Sequence, residues 1–178
     1  MKHCHLIAAG RFGILAVFLA SPLVAGCAGD EEENFACPPI FRVADASRLV
    51  KFDGTGRDLT DVRFEIDLQE LTGACVYDDD VIEMTLDVSF TATRGPADRA
   101  RLAPIKYFVA ITTLDQRVLA REEFELNIPF EGNRTRVSVI DQLEPRIPLK
   151  PAEAGTDFHI YVGISLSPEE LRYNRENS

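Results

Sequence analysis

Four cysteines, three histidines and a run of three aspartates are the residues of this 178-residue chain best equipped for chemistry. His159 stands in "FHIYV", on the face opposite Phe158, Ile160 and Val162. That placement reads as a strand histidine on a polar face rather than as a catalytic base. Asp78, Asp79 and Asp80, with Glu83 beyond, offer hard oxygens that suit calcium. Three consecutive residues rarely point at one ion, and the spacing is not that of an EF-hand, so the run reads as a solvated hairpin turn. Asp53 and Asp58 in "DGTGRD" read the same way. The sequon "NRT" (Asn133–Thr135) reads as a turn. "RLAPIKYF" could form a basic and aromatic rim from Arg101, Lys106, Tyr107 and Phe108; the plainer reading is a loop entering a core strand. No G-x-S-x-G, H-E-x-x-H or phosphate loop is present. The residues assign no catalytic group, no cofactor and no metal, and the chain does not read as an enzyme.

The cysteines say more. Lys2 and Arg11 precede "FGILAVFLASPLVA" (Phe12–Ala25), an apolar run of signal-peptide length, too short to span a membrane comfortably. "LVAGC" (Leu23–Cys27) closes it and resembles the lipobox of bacterial lipoproteins: apolar residues, two small ones, then cysteine. The resemblance implies cleavage before Cys27, a diacylglycerol on its sulfur and an acylated amine. Several acyl chains hold a protein at a membrane stably where one does not. Ala28 follows the cysteine where an aspartate would imply inner-membrane retention. The resemblance therefore implies a periplasm-facing lipoprotein of the outer membrane, with the inner membrane as the alternative.

Loss of residues 1–26 removes Lys2 and Arg11 and no acid, leaving 17 of the 19 basic residues against 29 acids, a net charge of −12. That argues against nucleic acid and against lying on anionic headgroups. Cys4 leaves with the leader and Cys27 carries lipid, so Cys37 and Cys75 remain in an oxidising compartment and are expected to form a disulfide. Two buried free thiols are the alternative; a metal site fits less well, because neither cysteine lies in a C-x-x-C. Residues 27–36 read as an acidic tether and residues 37–178 as one folded domain.

The elements of that domain are β. "VIEMTLDVSFTAT" (81–93) alternates, with Ile82, Met84, Leu86, Val88, Phe90 and Ala92 on one face. "VRFEIDLQ" (62–69) and "FELNIPF" (124–130) alternate too, Pro129 marking an edge or a strand end. "KYFVAITTL" (106–114) is apolar on both faces and reads as central. Further strands are expected at "SRLVKF", "ACVY", "RVSVI" and "FHIYVGISL", with turns at Asp53–Gly56, Thr72-Gly73, Thr113–Gln116 and Glu131–Asn133. "RGPADRARLAP" (94–104) reads as a connection with room for one helical turn, and "EPRIPLKPAEAGTD" (144–157) as a loop or edge segment. Ser167, Pro168 and Glu170 predict a short helix beginning at Pro168, with a capping box and with Leu171 and Tyr173 packing back.

The expected fold is all-β: a sandwich of seven or eight strands with a short C-terminal helix. "YFVAITTLDQRVLAREEFELNIPF" resembles a strand pair of immunoglobulin-like or fibronectin-type domains. "CPP", "ACVYDDD", "YFVAI" and "LSPEELRYNR" resemble small proteobacterial envelope lipoproteins, which implies no activity. The expected role is a binding or assembly module tethered to the membrane by lipid, meeting an envelope protein or the cell wall. An exposed edge, most simply "EPRIPLK", would accept a partner strand. The alternatives are a wall or carbohydrate hydrolase with paired carboxylates and a small-ligand or metal carrier.

Overall fold

A computed structural model describes residues 36–177, so Cys27 and all of the tether but Ala36 lie outside the described residues. Nine strands and one α-helix are found there, besides three single-turn 3-10 helices: β1 Ile40–Arg42, β2 Arg48–Phe52, β3 Val62–Asp78, β4 Val81–Arg94, β5 Leu102–Thr113, β6 Val118–Pro129, β7 Arg136–Leu143, β8 Arg146–Pro148, β9 Phe158–Ile164 and α1 Pro168–Glu176. One sheet runs β1-β9-β5-β6; the other runs β2-β3-β4-β7, with β8 also on β4. The two inner faces make one core, in which Phe64, Ile66, Leu86, Phe90, Tyr107, Ile128 and Ile160 are fully buried.

The neighbours β3-β4-β7 and β9-β5-β6 reproduce the A-B-E and F-C-C′ pairings of an immunoglobulin-like sandwich, all antiparallel. In place of a final G strand, β1 lies parallel to β9. The strand count exceeds the expected seven or eight because β1 and β8 hold only three residues each. Too short to show a period, they escape a reading by alternation, although the β8 segment is expected as a loop or edge.

Three expectations need correction. Thr72-Gly73 is no turn: "VRFEIDLQ" and "ACVY" belong to one 17-residue strand, β3. Its register slips between Leu68 and Leu71, which face Phe90 and Val88. One extra residue there is a β-bulge, and it moves the core-facing set from even to odd positions. Gly73 follows because Ile40 packs onto it; an added Cβ would lie 2.6 Å from the Ile40 Cδ1. Residues 94–104 contain a tight turn and no helix, and β5 already begins at Leu102.

The disulfide between Cys37 and Cys75 is formed, with Cα atoms 5.7 Å apart. It ties the segment before β1 to β3 of the opposite sheet. Beside it, Tyr77 donates to the Ala36 carbonyl at 2.8 Å and accepts from the Gly155 amide at 2.7 Å. Helix α1 starts at Pro168 as expected: the Ser167 hydroxyl accepts from the Glu170 amide and the Glu170 carboxylate accepts from the Ser167 amide. Tyr173 meets Phe52 edge-on at 5.2 Å. The helix residue that locks deepest is Asn174, which is buried and donates to the Asp45 and Arg48 carbonyls at 2.9 and 2.6 Å.

Candidate functional site

The two lateral sides of the sandwich differ. On one, the segment Val43–Ser47 crosses from β1 to β2, and α1 clasps it through Asn174 and the Arg175–Asp45 pair at 2.7 Å. On the other, among the described residues, β6 pairs only with β5, and β7 with β8 pairs only with β4. Phe124 and Leu126 of β6 and Val137, Val139 and Leu143 of β7 are packed on the core yet only half-buried. An apolar seam therefore runs along this side.

The strands explain why it stays open. β7 and β8 lie along β4 in a single register, Leu86 facing Leu143 and Glu83 facing Arg146. Glu144 and Pro145 interrupt them, and Pro145 has no amide to give. Its carbonyl still accepts from the Met84 amide at 3.0 Å, so the edge bends without parting from β4. Opposite the break lies a cleft of about 240 Å³, lined by Val109, Ile111, Ala120, Phe124, Leu143 and Pro145, with Arg121, Glu122 and Glu144 also on its wall.

Register decides what β6 presents. Ala120, Glu122, Phe124, Leu126 and Ile128 face Ile111, Val109, Tyr107, Ile105 and Ala103, all core-facing, so these even positions point inward. The Phe130 amide bonds the Arg101 carbonyl, which sets the ladder: even residues of β6 bond to β5, and odd ones direct their N–H and C=O outward. Arg121, Glu123, Glu125 and Asn127 thus carry the free edge. Pro129 sits at an odd position, where its missing N–H costs no ladder bond. Leu114, Val118 and Leu119, at the hairpin end of the same edge, are 56%, 57% and 44% exposed.

Tyr107 links the two walls. Fully buried, it stacks on Phe124 at 5.3 Å and donates to the Asp141 carboxylate at 2.6 Å. Burial, then the hydrogen bond and charge of Asp141, push its phenol far above the ordinary tyrosine range. It acts as a fixed donor in the core.

The basic and aromatic rim is not assembled. Tyr107 points into the core, Lys106 pairs with Glu125 at 2.5 Å on the outer face, and Arg101 donates to the Phe130 carbonyl. Phe108 lies on the outer face beneath Arg121, whose guanidinium is 4.3 Å from the ring centre. Strand alternation alone separates Tyr107 from its two neighbours.

Asp78 ends β3, and Asp79 and Asp80 form the turn into β4, Asp79 adopting a φ of 48°. Among the described residues, no three His, Cys, Asp or Glu side chains are grouped to hold a metal ion. His159 is half-buried on the outer face between Phe41 and Tyr161, at 5.0 and 6.1 Å, and its Nδ1 has no hydrogen-bond partner. Asp98, a residue sequence reasoning passed over, is buried in the loop before β5. It accepts from Arg94 Nε at 2.6 Å and from the Ala100 and Arg101 amides. Burial alone would raise its pKa; the Arg94 bond, the two amides and the Arg94 charge outweigh it and hold the carboxyl below its ordinary 3.8.

No family model matches the chain, and no curated protein matches it. Among solved structures it is similar to the variable (V) domain of the AgI/II polypeptide BspA of Streptococcus agalactiae. Identity is 11%, over 68% of this chain and 72% of that one, with a TM-score of 0.20. So loose a superposition says nothing about function. Among the described residues, no helix is long and apolar enough to cross a membrane.

Proposed function

We propose that the chain is a lipid-anchored, periplasm-facing envelope protein that works as a binding module, and that the edge between β6 and β7 receives its partner. The observation that carries the second half is the apolar cleft beside an unpaired strand edge. Unpaired N–H and C=O groups flanked by apolar surface are the elements of strand addition: the backbone gives affinity and the pocket gives specificity. The lipid anchor rests on the "LVAGC" motif and on the shortness of the apolar run before it.

"EPRIPLK" does lie at an edge, as β8. Its neighbour Glu144-Pro145 shapes the cleft, while β6 supplies the longer free ladder. A wall hydrolase is the second reading, because Glu122 and Glu144 both stand on that cleft. Mature protein that releases sugars from purified cell wall, and loses the activity in Glu122→Gln, would favour it.

The test is photo-crosslinking in living cells from a reactive side chain placed at Ala120, compared with one at Phe41 on the opposite edge. Adducts from position 120 and few from position 41 are expected; the reverse pattern would move the docking site. Cys27→Ala tests the anchor separately: a variant that still sediments with membranes after a high-salt wash contradicts lipid attachment.

A further inference from the structure

We infer that the partner at the β6 edge is an extended peptide segment with the pattern apolar-x-basic-x-apolar, its cation received by Glu122 and Glu144. The inference rests on the edge being the docking site and adds the chemistry of what docks.

A strand added beside β6 places every second side chain over the seam. Those side chains stand opposite Ala120, Glu122 and Phe124, the inward-facing positions. Ala120 and Phe124 line the cleft together with Val109, Ile111, Leu143 and Pro145, so side chains opposite them enter an apolar surface. The side chain between them meets Glu122, and across the cleft Glu144. Cross-strand neighbours of opposite charge are stabilising, and like charges repel.

The cations of this region are already engaged. Lys106 pairs with Glu125 at 2.5 Å, Arg121 with Glu123 at 3.0 Å, and Arg146 with Glu83 at 2.8 Å. Glu122 and Glu144 make no ion pair among the described residues. Two carboxylates without a cation thus border an apolar cleft on a chain of strongly negative net charge.

An inward-pointing charge on an edge strand is also a known device against unwanted pairing. Here the two roles coincide. Glu122 repels a strand that brings an acid or a plain hydrocarbon to that position, and it admits one that brings lysine or arginine. Discrimination then comes from the rejected strands as much as from the accepted one.

The test uses the full-length protein in detergent micelles and three capped seven-residue peptides, titrated to millimolar concentration by NMR. The first has leucine at its second and sixth positions, lysine at the fourth and serine elsewhere. The second replaces lysine by glutamate, and the third replaces both leucines by serine. The lysine peptide should bind roughly tenfold or more tightly than either control, with shifts centred on residues 118–124. In the Glu122→Lys, Glu144→Lys double variant, whose changes are both on exposed side chains, the preference should pass to the glutamate peptide. Equal binding of the first two peptides, an unchanged preference in the double variant, shifts on another face, or no binding at all would overturn the inference. Crosslinks from Ala120 in cells would still stand in each of those cases, so a failed pattern and a failed docking edge remain distinguishable.

Discussion

Asp98 shows how a single carboxylate organises a loop that sequence reading leaves blank. Its two oxygens take the Arg94 guanidinium and two backbone amides, fixing the turn that delivers β5. Asp98→Asn should lower stability at pH 7 by about 2 kcal/mol, since a buried charge-assisted network is broken while Arg94 can still reach water. The pH dependence follows from the depressed pKa. The folded state holds this proton less tightly than the unfolded state, so the contribution is complete above the ordinary value of 3.8 and fades as pH falls through the lower folded value. Urea unfolding at pH 7 and pH 3 should therefore show a gap between wild type and variant that narrows in acid. A gap that widens would contradict the assignment. Glu122 matters at the same scale for the opposite reason. It is the one acid in the inward series Ala120, Glu122, Phe124, Leu126, Ile128. That break in alternation was the signal in "LAREEFELNIPF" that could have pointed to the cleft.

At the scale of elements, legibility followed coverage. β4 is packed on one face along its length, and its six-residue core stripe could be read from alternation. β3 hid its length because the bulge reverses its phase and places Thr72-Gly73 where a turn would look natural. The first half of β6 could not be read as a strand because both of its faces are exposed through Glu123. Its walls come from residues distant in sequence, Val109 and Ala120 against Leu143 and Pro145, and only the pairing of whole strands brings them together. Glu123→Pro tests the edge itself. Residue 123 directs its N–H outward, so proline there removes a free donor and leaves the β5 ladder intact. Partner crosslinking from Ala120 should fall severalfold with thermal stability nearly unchanged. Glu123→Ala serves as the control, because it also gives up the contacts to Arg121 and Ser165 but keeps the amide. Equal losses in both variants would assign the effect to the side chain.

For the whole molecule, the described end nearest the proposed anchor is fastened in three ways. The disulfide, the Tyr77 bridge and the pairing of β1 with β9 all secure the segment just after Ala36. A lipid tether of the kind proposed would therefore load covalent and hydrogen-bonded structure rather than a loose strand. The Cys37–Cys75 link closes a separation of 38 residues, for which chain entropy gives about 4 kcal/mol. Replacing both cysteines by alanine should cost up to that amount in urea unfolding, and no measurable change would deny the link its structural role. The sandwich was legible in alternation, whereas the proposed address rests on a motif that lies outside the described residues. The proposed docking edge appeared only when the two sheets were stacked. Amide hydrogen exchange on the protein in intact envelopes, compared with the purified protein, tests that edge most directly. The outward amides of Arg121, Glu123 and Glu125 should exchange quickly in the purified protein and slow at least tenfold in the envelope. Unchanged exchange at those three amides, with new protection on β1 or β2 instead, would contradict the account.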